Sequence, residues 1–250
     1  MKKINNKVKI IVLAAGKGTR MKSHLPKVLM PLVGNHLIGH LTDTISTLGY
    51  ATPVAVVGHK AHLVKKELGQ TYKYAIQNKQ LGTAHAVMTA KEKCKGADYI
   101  VVLLGDQPFV KASTIAKTLE VHKQAKAKIT LTTTVAKDFK SWRSYFKTHG
   151  RILRTKGEIT GIREFKDASN LEKKIKEVNV GSPYIFDAKW LWKNLNKIGN
   201  NNSKKEYYLT DLIEIAKSQG ERIENVKMQN QEALGANSKE ELAALRKFAV

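Results

Sequence analysis

Short apolar runs alternate with amphipathic stretches through the first half of the chain. Apolar runs rich in β-branched residues predict strands at residues 8–13, 52–57, 72–76, 99–104 and 129–135. Between these strands, periodicity and composition predict helices at residues 36–48, 61–68, 83–93 and 113–126. Because strands and helices alternate with short connections, we expect an α/β fold, a Rossmann-like, mostly parallel sheet flanked by helices. Ligands of such sheets bind at the carboxyl ends of the strands.

The pattern changes after residue 135. Residues 137–149 are basic and aromatic, residues 151–154 and 159–163 resemble a hairpin, and residues 178–186 are strand-like. We interpret this region as a small extension of the sheet. Helices are predicted at residues 188–195, 209–219 and 237–248, the last with Asn237 or Ser238 as its N-cap. Since the chain shows no internal repeat and no linker, we expect residues 1–250 to form a single domain.

The composition favours a cytoplasmic globular protein. Hydrophobic residues make up 42% of the 250 positions, which is enough for a full core. The single cysteine, Cys94, excludes an intramolecular disulfide and suits a reducing compartment. Residues 1–3 resemble the charged start of a secretion signal, but the apolar run behind them is short and leads into Gly16-Lys17-Gly18 instead of a cleavage site. No segment is long enough to span a membrane, so we expect no membrane partner.

The charge is strongly positive, with 44 Lys and Arg against 21 Asp and Glu, a net charge of +23. Clustered lysines would favour nucleic-acid binding. Here, however, the lysines are spread along the whole chain and accompany no recognisable nucleic-acid module. We therefore interpret them as a solvated surface and do not favour a nucleic-acid partner. A positive field would in either case attract small anionic substrates.

A glycine-rich, basic loop follows the first predicted strand. Gly16 and Gly18 allow consecutive backbone N–H groups to turn towards one anion, and Arg20 and Lys27 add positive charge to the same loop. Pro26 fixes its own φ and should hold Lys27 in position. The spacing excludes a P-loop, and the third glycine of a dinucleotide fingerprint is missing. The loop suits a triphosphate, although an ordinary βα turn with scattered basic residues is the alternative.

Asp106 ends the apolar run of the fourth predicted strand. A buried carboxylate without a partner would be costly there, so Asp106 needs a metal ion, a cation or water. Magnesium commonly takes only one or two protein carboxylates together with substrate phosphates and water, so a single aspartate suffices. The alternative is that Asp106 caps the helix that follows Pro108.

Several segments together resemble one family. The run from Leu13 to Met21, Leu-Ala-Ala-Gly-Lys-Gly-Thr-Arg-Met, followed by Pro26-Lys27, resembles the signature of nucleotidyltransferases that join a nucleoside triphosphate to a sugar 1-phosphate. It is most similar to the uridylyltransferase half of the bacterial bifunctional N-acetylglucosamine-1-phosphate enzymes. Further similar segments lie at residues 77–83, 150–152, 161–168, 178–181, 206–211 and 232–237.

The resemblance implies a role for particular side chains. It implies catalysis by Arg20, Lys27 and Asp106, and a Mg²⁺ ion held by Asp106 and Asn237. The nucleotide, UTP, would contact Leu13, Ala14, Ala15, Gly16, Gly18, Thr19, Gln77, Gly82 and Thr83. The sugar 1-phosphate would contact Leu104, Gly105, Gly150, Glu164 and Asn179. Gln77 can pair with the imide edge of uracil because its amide both donates and accepts, and Gly82 would allow the backbone to approach the base. For Asn237, a helix N-cap is the alternative.

The implied reaction is Mg²⁺-dependent transfer of UMP from UTP to N-acetylglucosamine 1-phosphate, which gives UDP-N-acetylglucosamine and pyrophosphate. Leu104, His149 and Val180 depart from the family pattern by losing a hydroxyl or altering a polar contact at the sugar site. Another sugar 1-phosphate, CTP, or a non-catalytic nucleotide-binding domain therefore stay open as alternatives. The segment that begins at Asp106-Gln107 also resembles enzymes that make molybdopterin dinucleotides. We expect no hexapeptide-repeat acetyltransferase domain after residue 250.

Overall fold

The computed structural model describes residues 5–249, in which ten strands form one mixed sheet with helices on both faces. Residues 1–3, compared above with a secretion signal, lie outside this range. The strands are β1 Val8–Ala14, β2 Pro31–Leu32, β3 Asn35–His36, β4 Val54–Val57, β5 Lys73–Ile76, β6 Tyr99–Leu104, β7 Ile129–Val135, β8 Arg151–Thr155, β9 Glu158–Arg163, β10 Glu177–Asn179, β11 Tyr184–Asp187 and β12 Ile223–Lys227. The α-helices are α1 Leu37–Ser46, α2 Ala61–Leu68, α3 Thr83–Thr89, α4 Ala112–Ala125, α5 Ala188–Asn194, α6 Leu212–Ser218 and α7 Lys239–Leu245.

The sheet has the order β5-β4-β1-β6-β11-β7-β10-β8-β9, and β12 pairs with β7. Strands β5, β4, β1 and β6 are parallel neighbours, whereas β11 runs antiparallel between β6 and β7. Strands β10, β8 and β9 continue antiparallel from the end of β7 and form the extension. The short strands β2 and β3 form a separate hairpin. The fold class predicted from the sequence, a mostly parallel α/β sheet with a small extension, is confirmed.

Alternation along the central strand divides the core into two layers. Ile10 and Val12 of β1 pack in a layer with apolar residues of α1, α2, α4 and α7, whereas Ile11 packs with residues of α3, α5 and α6. All three β1 side chains have no exposed surface. Since successive side chains of a strand point to opposite faces, a strand covered by helices on both sides is apolar along most of its length, as β1 is apart from Lys9. Within residues 5–249, no helix is both long and apolar enough to cross a lipid bilayer.

The continuous strand expected at residues 178–186 is wrong, because the segment forms two strands, β10 and β11. Gly181 between them has φ +88°, and Pro183 has no N–H to donate to a ladder, so the strand is interrupted there. Strand β12 was not predicted. Its burial follows no period of two, since Ile223, Glu224 and Asn225 are all partly buried.

The last two predicted helices are shorter than expected. The helix expected at residues 209–219 begins as a 3-10 turn at Leu209–Asp211 before α6 starts at Leu212. The helix expected at residues 237–248 is α7, and its N-cap is Ser238, whose hydroxyl accepts a hydrogen bond from the Glu241 amide. The basic, aromatic stretch after β7 contains another 3-10 helix, Ser141–Thr148.

Candidate active site

A cleft of 430 Å³ lies at the carboxyl ends of β1, β5 and β6 and extends to the sheet extension. It brings together most of the residues that the sequence predicted. Those that line it are Leu13, Ala14, Ala15, Gly16, Arg20, Lys27, Gln77, Gly82, Thr83, Leu104, Asp106, Gly150, Glu164, Asn179 and Asn237. Gly18, Thr19 and Gly105 do not line the cleft and lie beside it.

Lys27 joins the two predicted metal ligands. Its ammonium donates to Oδ2 of Asp106 and, over 2.9 Å, to Oδ1 of Asn237, although these residues are 79 and 210 positions away in the chain. Asp106 follows β6 and is 8% exposed, so its carboxylate is held in a largely desolvated place. It does not cap a helix, since the next helix, α4, has Lys111 as its N-cap. Two oxygens from distant parts of the chain therefore converge on one cation.

The backbone around Asn237 explains how its side chain reaches Asp106. The amide of Ala236 donates to the backbone oxygen of Asp106 over 3.2 Å. The amide of Asn237 donates to a carboxylate oxygen of Glu241 over 2.7 Å. Because Ser238 caps α7, the side chain of Asn237 is available for the cleft. The N-cap alternative for Asn237 is therefore wrong.

The donor set of this pair fits a divalent oxygen-seeking cation. Asp106 offers a carboxylate and Asn237 an amide oxygen, and both already bind the positive charge of Lys27. Across residues 5–249, no group of three or more His, Cys, Asp or Glu side chains is arranged to hold a metal. Magnesium does not need such a cluster, since it commonly keeps water and substrate phosphates as its other ligands.

The glycine-rich loop brings its positive charge close to this pair. Gly18 has φ +61°, and a Cβ there would lie 2.6 Å from the Cβ of Lys27. Glycine is therefore required at position 18 for Lys27 to pack against the loop. Gly16 and Arg20 are exposed at the mouth of the cleft. The loop thus contributes an exposed guanidinium, and Lys27 a hydrogen-bonded ammonium, to the same cleft.

Gln77 closes the opposite side of the cleft, and its amide is already bound within the protein. Its Nε2 donates to the backbone oxygen of Gly82 over 3.1 Å and lies 3.0 Å from Nδ1 of His85. Only 3% of the residue is exposed. The nitrogen is therefore committed to the loop, and Oε1 is the atom left to accept a hydrogen bond from a ligand.

Gly82 serves a contact that the sequence analysis did not anticipate. Its φ is +111°, and a Cβ at this position would overlap the backbone of Tyr207. The Tyr207 backbone pairs with both sides of this turn, donating to the Leu81 oxygen over 2.8 Å and accepting from the Ala84 amide over 3.0 Å. The segment at residues 206–211 is thereby attached to the loop that carries Gln77. The absence of a side chain at Gly82 thus makes room for this second segment, and the approach of a base to Gly82 stays a prediction.

Asn179 and Glu164 lie at the other end of the cleft. Oδ1 of Asn179 accepts from the Gly181 amide over 3.0 Å and from the Tyr184 hydroxyl over 2.8 Å, which leaves its Nδ2 as a donor. Glu164 receives a hydrogen bond of 3.2 Å from the Thr210 hydroxyl. Burial raises the pKa of Glu164, because the charged carboxylate loses solvation.

Two glycines at this end allow close packing of the main chain. A Cβ at Gly150 would lie 2.8 Å from Ile162 and 3.3 Å from the Glu164 carboxylate. One at Gly105 would lie 3.1 Å from the backbone oxygen of Leu13. Gly105 therefore acts by letting β6 and β1 approach, and it is not exposed to the cleft.

Some lining residues were not predicted from the sequence. Gln80, Gln107, Tyr145, Thr148, Lys204 and Glu206 also face the cleft. Glu206 begins the Glu-Tyr-Tyr-Leu-Thr-Asp segment and could have been found from it. Gln107 and Tyr145 reach the cleft only through contacts between distant parts of the chain, so no local pattern indicates them.

His149, noted above as a departure from the family pattern, is a neutral, partly buried side chain at this end. Burial lowers its pKa to about 4, so the imidazole is uncharged near neutral pH. Its ring lies 4.5 Å from that of Tyr145, measured between centroids. Within residues 5–249, its buried Nδ1 has no hydrogen-bond partner. His149 thus adds a neutral ring to the end of the cleft that carries Asn179 and Glu164.

The parallel strands, the basic glycine loop and a cation-binding oxygen pair at one edge define a nucleotidyltransferase. Residues 10–209 match the family model described as the MobA-like NTP transferase domain. The chain belongs to this family.

Relatives and solved structures agree with this assignment. The chain is 45% identical over 212 residues to the bifunctional protein GlmU of Geobacillus thermodenitrificans, covering 84% of this chain and 44% of the relative. It is 42% identical over 241 residues to the bifunctional protein GlmU of Listeria innocua, covering 95% and 51%. The chain thus spans about half the length of the curated relatives it matches. The predicted resemblance is confirmed.

The fold is shared with two solved structures of low sequence identity. One is a UDP-glucose pyrophosphorylase complexed with UDP-glucose, with a TM-score of 0.73 and 17% identity, covering 96% of this chain and 97% of that one. The other is a nucleotidyl transferase from Methanothermobacter thermautotroptrophicus, with a TM-score of 0.66 and 19% identity, covering 98% of each chain. At this identity, they establish the fold alone.

Proposed function

We propose that the protein transfers UMP from UTP to N-acetylglucosamine 1-phosphate, forming UDP-N-acetylglucosamine and pyrophosphate with Mg²⁺. The observation that carries the proposal is that the side-chain oxygens of Asp106 and Asn237 converge on one cation, the Lys27 ammonium. This pair lies between a basic glycine loop and a pocket with polar groups suited to a sugar. The similarity to GlmU proteins over most of the chain supports the choice of substrates.

The chemistry requires alignment and charge neutralisation. A phosphate oxygen of the sugar 1-phosphate attacks the α-phosphorus of UTP, and the bond to the β-phosphate oxygen breaks, leaving its electron pair on pyrophosphate. The attacking phosphate is already an anion at neutral pH, so no general base is needed. Lys27, Arg20 and the loop amides bind the triphosphate. Asp106 and Asn237 would hold the Mg²⁺, which would supply positive charge to neutralise the reacting phosphates.

The hydrogen bonding of Gln77 supports uracil over cytosine. Its Nε2 is committed to Gly82 and His85, so Oε1 faces the ligand as an acceptor. N3 of uracil carries a hydrogen and can donate to this oxygen, whereas N3 of cytosine is itself an acceptor. We therefore infer that UTP is preferred to CTP.

The sugar end offers one donor and one acceptor. Nδ2 of Asn179 can donate to the carbonyl oxygen of an N-acetyl group, and Glu164 can accept from ring hydroxyls. Leu104 and His149, apolar and neutral respectively, line the same end. These two residues favour testing other sugar 1-phosphates as a second candidate.

We further infer that residues 1–250 form one transferase domain that acts in the cytoplasm, where UTP and sugar phosphates are made.

Pyrophosphate release tests the proposal. Purified protein is assayed with Mg²⁺, either UTP or CTP, and a panel of sugar 1-phosphates. We expect the highest kcat/KM with UTP and N-acetylglucosamine 1-phosphate. A higher kcat/KM with glucose 1-phosphate would make that compound the proposed sugar substrate instead. A higher kcat/KM with CTP would make CTP the proposed nucleotide substrate. Binding of UTP without pyrophosphate release for any sugar would indicate a non-catalytic domain.

A further inference from the structure

A buried glutamine beside Asp106 connects three segments of the chain. Gln107 is 1% exposed. Its Nε2 donates to the backbone oxygen of Val180 over 2.7 Å and lies within 3.5 Å of the backbone oxygen of Ala233. Its Oε1 accepts from the hydroxyl of Ser182 over 2.5 Å. One side chain thus joins the end of β6 to the connection between β10 and β11 and to the segment before α7.

Each of these three segments carries a residue of the proposed site. Asp106 precedes Gln107, and Asn179 precedes Val180. The third segment runs from Ala233 to Asn237, and it packs closely on the same turn. A Cβ at Gly235 in this segment would lie 2.8 Å from the backbone oxygen of Asp106 and 3.1 Å from Cγ of Gln107.

We infer that Gln107 is a positioning residue that sets the spacing between the two metal ligands and the sugar subsite. The inference rests on the proposed function, since it assigns the cleft to a metal-bound triphosphate and a sugar 1-phosphate. In-line attack requires the two substrates to be held at a fixed separation, and small displacements of either reduce the rate strongly. No hydrogen bond connects the Gln107 side chain to the loops of Gln77 or Gly16 within residues 5–249, so we expect it to affect UTP binding only through the metal ion.

The physical basis is the cost of leaving buried carbonyls without donors. If the Gln107 amide is removed, the Val180 oxygen loses a buried partner, and the segment must shift towards another donor. Such a shift moves Asn179, which directly precedes Val180 in the chain. It also loosens the packing of Gly235 against Asp106, which changes the distance between Asp106 and Asn237.

The test replaces Gln107 with methionine, which has similar length and no hydrogen-bonding amide. For Gln107→Met we expect KM for the sugar 1-phosphate to rise and Mn²⁺ affinity in the presence of UTP to fall, each by about tenfold, the order of magnitude for the loss of one buried hydrogen bond. The Kd for UTP measured without a metal ion should stay within about twofold, because the change acts on metal-dependent binding only. Ser182→Ala should act in the same direction, and the double variant should show less than the sum of the two effects.

Gln219→Met is the matched control. The amide of Gln219 also joins separate residues, accepting from Trp190 Nε1 over 3.0 Å and donating to Asn194 Oδ1 over 2.8 Å, but Gln219 does not line the cleft. This variant should lower the melting temperature without a selective change in KM for the sugar 1-phosphate. If Gln107→Met leaves this KM and Mn²⁺ affinity unchanged, or if Gln219→Met produces the same selective change, the inference is wrong.

The metal titration separates this inference from the proposed function. If the wild-type protein releases no pyrophosphate with any sugar 1-phosphate, the proposed function fails. Titration of Mn²⁺ into the UTP-bound protein, followed by electron paramagnetic resonance, requires no turnover and still compares Gln107→Met with wild type. A tenfold weaker Mn²⁺ site supports the positioning role, and equal affinity overturns it.

Discussion

The ammonium of Lys27 lies between the two oxygens proposed to hold Mg²⁺. It can serve the triphosphate only if it leaves Asp106 and Asn237 when the metal arrives. Lys27 thus neutralises the Asp106 carboxylate, which would otherwise be buried without a counter-charge. The same contact means that Lys27 and a divalent cation compete for one place.

Replacing Lys27 tests this competition. In Lys27→Met, Mn²⁺ affinity without nucleotide should rise by about tenfold, which corresponds to about 1.4 kcal/mol. KM for UTP should rise at the same time, because the triphosphate loses a cation. Electron paramagnetic resonance gives the metal affinity, and steady-state kinetics gives KM. Lys128→Met, which removes a 3.2 Å ion pair with Asp187 away from the cleft, should change neither quantity. Lower Mn²⁺ affinity in Lys27→Met would contradict this account.

Asp106 has a natural control at the opposite end of the same strand. Asp106→Asn keeps the shape but removes the charge, so kcat should fall by about 100-fold or more while metal-free UTP binding is retained. Asp98 precedes β6 and forms an exposed ion pair with Lys7 over 3.5 Å. Asp98→Asn should leave kcat unchanged. Turnover of Asp106→Asn equal to wild type would remove Asp106 from the proposed metal site.

The turn at Gly82 joins the loop that carries Gln77 to the segment that contains Tyr207. Gly82→Ala adds a Cβ that overlaps the Tyr207 backbone at a φ of +111°, so the loop and the segment must separate. We expect a loss of stability of about 1–3 kcal/mol and a higher KM for UTP.

Gly157→Ala is the control for backbone strain alone. Gly157 has φ +86° in the turn between β8 and β9, and a Cβ there would have open space. Gly157→Ala should lower the free energy of unfolding by about 1 kcal/mol and leave KM for UTP unchanged. Denaturant unfolding and initial-rate kinetics measure both effects. Equal KM values for UTP in Gly82→Ala and Gly157→Ala would show that the contact between Gly82 and Tyr207 does not contribute to UTP binding.

Elements buried on both faces were predictable, and those defined by long-range contacts were not. Strands β6 and β7 begin and end at the predicted residues, because β6 is a continuous apolar run and β7 a run of β-branched and apolar residues, both buried along nearly their whole length. Strand β12 lies beside β7 but is only partly buried, so it contains polar residues and lacks the apolar pattern that predicts a strand. The division of residues 178–186 depends on Gly181 and Pro183, whose effect on the ladder outweighs the apolar pattern.

The site follows the same rule. Lys27, Asp106 and Asn179 lie in contiguous motifs and were identified from them. The partners of Gln107 are 73 and 126 positions away, so its role depends on a packing arrangement that no local spacing specifies. Lys27 was expected to bind phosphate, but its contact with both metal ligands emerges only when distant segments meet.

The charge is unevenly distributed around the cleft in spite of the net +23. One end of the cleft carries Arg20 and Lys27. Beyond the end that carries Asn179, a pocket of 280 Å³ is lined by several carboxylates, Glu164, Asp167, Asp211 and Glu214, together with Arg163. Such a division suits a substrate that is anionic at one end and rich in hydroxyl groups at the other.

The acidic pocket makes stability depend on pH in a definite direction. Burial, and then the charges of Glu214 and Glu164, raise the pKa of Asp211 from 3.8 to about 6. The folded protein therefore holds a proton on Asp211 over a range in which the unfolded chain has lost it. Between about pH 4 and pH 6 the folded state binds more protons than the unfolded chain, so the free energy of unfolding falls as pH rises. Above the folded pKa both states are ionised, and the destabilising effect of the Asp211 carboxylate is complete.

Asp211→Asn removes this carboxylate and should raise Tm at about pH 8 by roughly 2 °C, with a smaller effect at about pH 4. Asp138→Asn is a control of opposite sign. The Arg143 guanidinium, which donates two hydrogen bonds of 2.8 Å, lowers the pKa of Asp138 to about 2, so its carboxylate stabilises the fold above the ordinary value of 3.8. Asp138→Asn should therefore lower Tm at about pH 8. Thermal unfolding followed by circular dichroism measures both variants. A lower Tm for Asp211→Asn at about pH 8 would contradict this account, because it would mean that Arg163 stabilises the Asp211 carboxylate more than the acidic neighbours destabilise it.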